Sequence, residues 1–272
     1  MRVLPLTEQH EAVLLRLLRE DPIQNLFLLG ILAKQPPQRE LWYGAFEKEE
    51  VLGVILVIHD RLAVPYAPCR EAADALGDFL RNHPLPQMLV GPREACDSLW
   101  TPWSRGRPAE RMYDQVLFVC STTPQGDPLA GLRRATLADS EIIGDFSGKM
   151  EAEDLGRNPA LENPSLHRQV VRDRIRNGKT WVVEEGHELV FMINVGTSTD
   201  FGCQVGGTYV PPHHRGRRIA TRAMIALNQK LLQTHRVVTL HVNGANHPAV
   251  TTYQRSGFEF CAPFRLITVA KT

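Results

Sequence analysis

Apolar periodicity divides the chain into two stretches with the same order of elements. In the second stretch, "TWVVEEGHELVFMINVGTS" sets β-rich apolar runs on either side of Glu185-Gly186-His187, the pattern of a hairpin. Asp200-Phe201-Gly202 turns the chain into a third strand, "CQVGGTYV". "RRIATRAMIALNQKLLQTH" carries Ile219, Ala223, Ile225, Ala226, Leu227 and Leu231 on or near one face, the longest helical pattern in the chain. "VVTLHVN" reads as a buried strand, "PAVTTYQRSGF" as a helix closed by Gly257, and "FRLITVA" as a last strand. Upstream, a short strand over 132–135 precedes two helices. Thr136 or Asp139 can cap the first; Asn163-Pro164-Ser165 starts the second, which stops at Asn177-Gly178. A long helix joining neighbouring strands implies a crossover, so the sheet is mixed.

The first stretch repeats this order in outline. "LWYGAFEKEEVLGVILVIH" is a hairpin around Glu47 to Glu50, followed by strand "RLAVPYA", helix "EAADALGDFLRNH", strand "QMLVGP", helix "REACDSLWTPW" and strand "DQVLFVC". Its third strand runs into "PYAPCREAADA", without the glycine and arginines of the later half. "STTPQGDPLAG" is polar and rich in Pro and Gly, as linkers are. The expected organisation is a domain over 1–122, a linker over 123–131 and a domain over 132–272. Each is α/β in content (α+β in arrangement), with a mostly antiparallel mixed sheet flanked by helices.

Composition agrees with two domains. At 272 residues the chain suits two cores of about 130 residues each. A net charge of +1 gives no global case for nucleic acid or an anionic membrane. No apolar run approaches the roughly 20 residues of a membrane span, and "MRVLPLTEQHEAVLL" lacks a signal-peptide core, so a cytoplasmic protein is expected. Cys69, Cys96, Cys120, Cys203 and Cys261 are scattered, with no C-x-x-C pair and no histidine pair at ligand spacing beside them. Reduced, mostly buried thiols are expected, with no disulfide framework and no metal site.

Charge changes the picture locally. From Phe201 to Phe258 there is no Asp or Glu, while Arg215, Arg217, Arg218, Arg222, Lys230, Arg236 and Arg255 all fall there. Such a block in a neutral protein points to one anionic ligand at one place. Arg215-Gly216-Arg217-Arg218-Ile219-Ala220 stands where the long helix begins. A helix N-terminus offers unpaired amides and partial positive charge, glycine admits close approach, and arginines add bidentate donors. The junction therefore suits a phosphate.

The segment from Thr180 to Phe258 resembles the GNAT superfamily of acyl-CoA-dependent N-acyltransferases. That family's [QR]-x-x-G-x-[GA] pattern is matched by Arg215 to Ala220, with Arg218 replacing the usual central glycine. Its N-x-x-A-x-x-x-Y-x-x-x-G-F signature is met by Asn246, Ala249, Tyr253, Gly257 and Phe258. With "DPIQNLFLLG", "LVGP" and "MEAEDLGRNP", almost the whole chain is similar to bacterial tandem-GNAT proteins whose first half is degenerate.

The resemblance implies acetyl-CoA as cofactor and direct acyl transfer in a ternary complex. Backbone groups of Thr208, Tyr209 and Val210 would take the pantetheine arm, where that strand parts from the strand at 239–243. Amides of Arg215, Gly216, Arg217, Arg218, Ile219 and Ala220 would take the pyrophosphate, with Asn246 and Ala249 on the later part of the cofactor. Tyr253 would be the general acid. No carboxylate lies between 201 and 258, so a base must come from elsewhere. Glu151 and Glu153 are preferred, between the first two helices of this half; Asp154, Glu162, His213, His214 and His241 are alternatives. The acceptor implied is an amine of a small molecule or peptide, with a cationic one favoured by the acids. A homodimer is the assembly considered. The alternative to an enzyme is a non-catalytic acyl-CoA-binding or regulatory module, and transfer from aminoacyl-tRNA is a third reading.

Overall fold

The computed structural model describes residues 1–38, 41–59 and 61–270. The chain groups into two compact units: Met1–Phe118 with His241–His247 and Phe260–Thr272, and Val119–Leu240 with Pro248–Glu259. The sequence boundaries put all of 132–272 in one domain; here the last strand joins the first unit.

In the first unit, β1 (Arg2–Pro5) is followed by α1 (Glu11–Glu20) and α2 (Leu26–Leu32). Then come β2 (Trp42–Glu47), β3 (Glu50–Ile58), β4 (Leu62–Tyr66), α3 (Arg70–Leu80), β5 (Met88–Pro92), α4 (Arg93–Ser104) and β6 (Arg111–Cys120). β1 through β4 pair antiparallel in order, and β5 pairs parallel with β4. Apolar side chains cover both faces of this sheet. Leu76, Leu80, Leu99 and Trp103 from α3 and α4 pack with Ile55 and Leu89. Leu14, Leu18 and Leu28 from α1 and α2 pack with Trp42 and Leu56.

The second unit begins with an irregular segment, then β7 (Arg133–Arg134), α5 (Ser140–Leu155), α6 (Pro159–Glu162) and α7 (Pro164–Arg176). β8 (Thr180–Glu185), β9 (Glu188–Ser198), β10 (Gly202–Tyr209), α8 (Ile219–Leu231), β11 (Val237–Asn243) and α9 (His247–Arg255) follow, and β12 (Glu259–Thr268) closes the chain. β7 to β10 pair antiparallel in order, while β11 runs parallel to β10, so the sheet is mixed. Val182, Met192 and Tyr209 pack against Ile143 and Phe146 of α5 and Val171 and Ile175 of α7. The alternate positions Val183, Phe191 and Ile193 are buried too, as in a sheet covered on both sides, and α8 packs on β9 and β10.

Caps fall where the polar residues predict. Thr136 N–H donates to Asp139 Oδ2 at 2.7 Å before α5, and Asn163 Oδ1 accepts from Leu166 N–H at 3.1 Å at the head of α7. The longest helix is α5, with 16 residues against 13 in α8. Gly144 and Gly148 thin the apolar stripe of α5, and one of them has a packing reason: a Cβ on Gly148 would sit 2.6 Å from Asn158 Oδ1. All five cysteines are free.

Candidate functional site

The site starts from a break in the sheet. Among the described residues β10 pairs with β11 only from Gly202↔Val237 to Gln204↔Thr239, yet β10 runs on to Tyr209. Between Gly206↔Asn194 and Tyr209↔Met192 the register with β9 slips by one residue. Gly207 sits at φ +69, where a Cβ would meet Asn194 Nδ2 at 2.8 Å. A bulge of this kind releases backbone groups from the ladder, so Thr208 stands beside an unpaired stretch of strand. The Thr208 hydroxyl is buried without a hydrogen-bond partner among the described residues.

From Tyr209 the chain passes Val210, Pro211 and a 3-10 turn at Pro212–His214 before α8. Gly216 (φ +80) and Arg218 (φ +60) both adopt the left-handed conformation. Arg218 is the N-cap of α8, so the family's usual glycine falls at a position whose backbone favours glycine. Among the described residues the amides of Gly216, Arg217 and Arg218 meet no acceptor. Those of Ile219 and Ala220 open the helix, where no preceding turn can supply one. A Cβ built on Gly216 meets no atom within 4 Å. Free amides, a helix dipole and open approach at Gly216 fit a pyrophosphate.

The arginines are less free than the acid-free segment suggested. Arg215 Nη2 donates to both Glu153 oxygens at 2.9 Å, and its Nε donates to Val210 O at 2.9 Å. Arg217 Nη2 donates to Glu185 at 2.8 Å and its Nη1 to His214 Nδ1 at 2.9 Å. Arg222 pairs with Asp127. Acids distant in sequence thus neutralise a block that looked purely basic. Arg218 is exposed and has no side-chain partner among the described residues.

Tyr253 is buried on α9. Burial pushes its phenol above the ordinary tyrosine value, and the Thr208 hydroxyl beside it pulls slightly the other way. The two hydroxyls do not meet hydrogen-bond geometry. Asn246 lies in the turn before α9 and Ala249 within its first turn.

The candidate bases separate by environment. Glu151, Glu153 and Asp154 lie in the final turns of α5, not between helices as the sequence suggested. Carboxylates are electrostatically disfavoured there, at the negative end of the helix dipole. Glu151 is half-buried, and burial raises its carboxyl above the usual range against the pull of Arg174, His167 and Arg157. Asp154 is raised by crowding and by Glu153 and Glu151, although its side chain is exposed. Glu153 is held by Arg215. Glu162 is exposed at the end of α6. His241 packs on Phe264, and burial lowers it to about 4, which makes it a poor base.

Residues 149–258 match the family model described as the acetyltransferase (GNAT) family. This segment is a GNAT domain. The matched residues include the bulge at Gly207, the amides of 216–220 and Tyr253. Solved structures agree on the fold across the whole chain. A GNAT-family acetyltransferase from Colwellia psychrerythraea has a TM-score of 0.62 at 11% identity, covering 99% of this chain and 100% of its own. A GCN5-related N-acetyltransferase from Sphaerobacter thermophilus has 0.66 at 14%, covering 98% and 94%. A tandem GNAT protein from the clavulanic acid biosynthesis pathway has 0.55 at 15%, covering 100% and 99%. No curated protein sequence matches the chain. The GNAT fold supports acyl transfer in general. Among the described residues no helix is long and apolar enough to cross a membrane.

Proposed function

We propose that the second unit is an N-acetyltransferase that passes an acetyl group from acetyl-CoA to an amine within a ternary complex. One observation carries this reading: in the unit that holds the buried Tyr253, the end of β10 that has parted from β11 leads through one 3-10 turn into the open amide loop at 216–220. The loop amides hold the pyrophosphate. Backbone groups of Thr208, Tyr209 and Val210 orient the pantetheine arm and polarise the carbonyl. Asn246 and Ala249 are assigned to the cofactor on their motif. When bound, acetyl-CoA supplies the thioester carbonyl and a thiol leaving group.

Tyr253 Oη donates the proton that the leaving sulfur takes up. Its raised pKa keeps it protonated at neutral pH, and the same dry surroundings raise the basicity of a thiolate, keeping the two matched. Glu151 is the better base: burial raises its carboxyl above the usual range, whereas both oxygens of Glu153 accept from Arg215. Glu153 positions Arg215 instead. Glu151 and Asp154 favour a cationic amine on a small molecule or peptide.

The test is a panel of amines with acetyl-CoA, read as free thiol. With the acceptor in hand, Tyr253→Phe should lower kcat by about 10²-fold with little change in KM for acetyl-CoA. Glu151→Gln should lower kcat/KM and remove the acid limb of the pH profile. Binding of acetyl-CoA with no turnover across the panel would replace this reading with the non-catalytic acyl-CoA-binding module.

A further inference from the structure

We propose that Glu188, His213 and His214 form a binding site for a divalent metal of the zinc type. Their donor atoms all lie within 4.8 Å of one another. His213 Nε2 is 2.8 Å from Glu188 Oε1, and His214 Nε2 is 3.2 Å from Glu188 Oε2. A tetrahedral shell with bonds of about 2.0–2.1 Å sets neighbouring donors about 3.3 Å apart, so small shifts would admit the ion. The two imidazoles are 4.2 Å apart between centroids and tilted by 45°, which lets both nitrogens face the carboxylate. Two imidazoles and a carboxylate suit Zn²⁺, Ni²⁺ or Cu²⁺, whereas Mg²⁺ and Ca²⁺ prefer oxygen.

A second observation points to a ligand. Among the described residues, the buried His214 Nε2 has no hydrogen-bond partner, although Glu188 Oε2 lies 3.2 Å away. The other ring nitrogen fixes the proton. Arg217 Nη1 always donates, so His214 Nδ1 accepts and the ring proton sits on Nε2. A metal at Nε2 needs that lone pair, which moves the one ring proton to Nδ1 and sets it against Arg217. Metal capture therefore requires Arg217 to let go of His214. The site is independent of the acetyltransferase reading, although it shares Arg217 with the phosphate loop. No spacing motif announces it, since Glu188 stands 25 residues from His213 in the chain.

The experiment is calorimetry of tag-free protein with ZnCl₂. One site per chain is expected, weakened at least about tenfold by His213→Ala or Glu188→Gln. Arg217→Gln should tighten it, because a glutamine carbonyl can accept from Nδ1–H. Co²⁺ on the unaltered protein should give the visible bands of a low-coordinate site, a readout that needs no variant to fold. Absence of Zn²⁺ binding, equal affinity in the His213 and Glu188 variants, weaker binding in Arg217→Gln, or a Co²⁺ spectrum of the hexaaqua ion would each overturn the proposal.

Discussion

Arg218 holds φ +60 and ψ 19 at the head of α8, a conformation that costs an ordinary L-residue roughly 1 kcal/mol. Its exposed guanidinium touches no acid among the described residues, unlike Arg215, Arg217 and Arg222. No contact of the Arg218 side chain among the described residues offsets this strain. Arg218→Gly should therefore raise stability by about 0.5–1 kcal/mol in urea unfolding, with CoA affinity held or improved in calorimetry. A drop in affinity of tenfold would instead make the Arg218 side chain a principal phosphate ligand. The oddity of Arg218 was legible in the sequence, because it replaces a glycine in a motif. Its neighbours' partners were not: Glu153 stands 62 residues from Arg215, and Glu185 stands 32 from Arg217. Only folding brings such acids to the loop, so a segment without acids did not make a site without them.

At the scale of elements, periodicity did most of its work where faces are one-sided. The hairpins at Glu47–Glu50 and Glu185–His187 were readable from flanking β-branched runs and a charged turn. β1, α1, α2 and α6 went unread. In α1 the periodic signal is present, since Leu14, Leu17 and Leu18 are buried at helical spacing, but it spans only ten residues. The four-residue α6 is too short to show a period. The segment read as a linker is also more than a connector. Pro124 and Leu129 are buried, Gln229 Nε2 donates to Pro124 O at 3.1 Å, and Leu129 N–H donates to Arg222 O at 3.0 Å, so it lines α8. Leu129→Ala should accordingly cost about 2–3 kcal/mol in the unfolding of the second unit, followed by urea titration. A free linker would show no change.

Across the whole molecule, the two units are not two consecutive lengths of chain. β12 pairs antiparallel with β5 from Phe264↔Pro92 to Thr268↔Met88. Arg265, mostly buried, clamps Asp97 at 2.8 and 2.9 Å, and Phe264 and Ile267 are buried in the first unit. A chain ending at Phe258 should lose the first unit's cooperative unfolding and aggregate through the bared edge of β5, seen by size exclusion and limited proteolysis. Soluble truncated protein with an intact first-unit transition would contradict this. Synthesis gives the same pairing a timing. A ribosome delivers β12 only after α5 through α9, so Leu89 and Val90 wait without that neighbour for about 10–30 s at ordinary elongation rates. During that interval β5 lacks its β12 partner, so the sheet of the first unit is completed only once β12 emerges, not when residues 1–118 do.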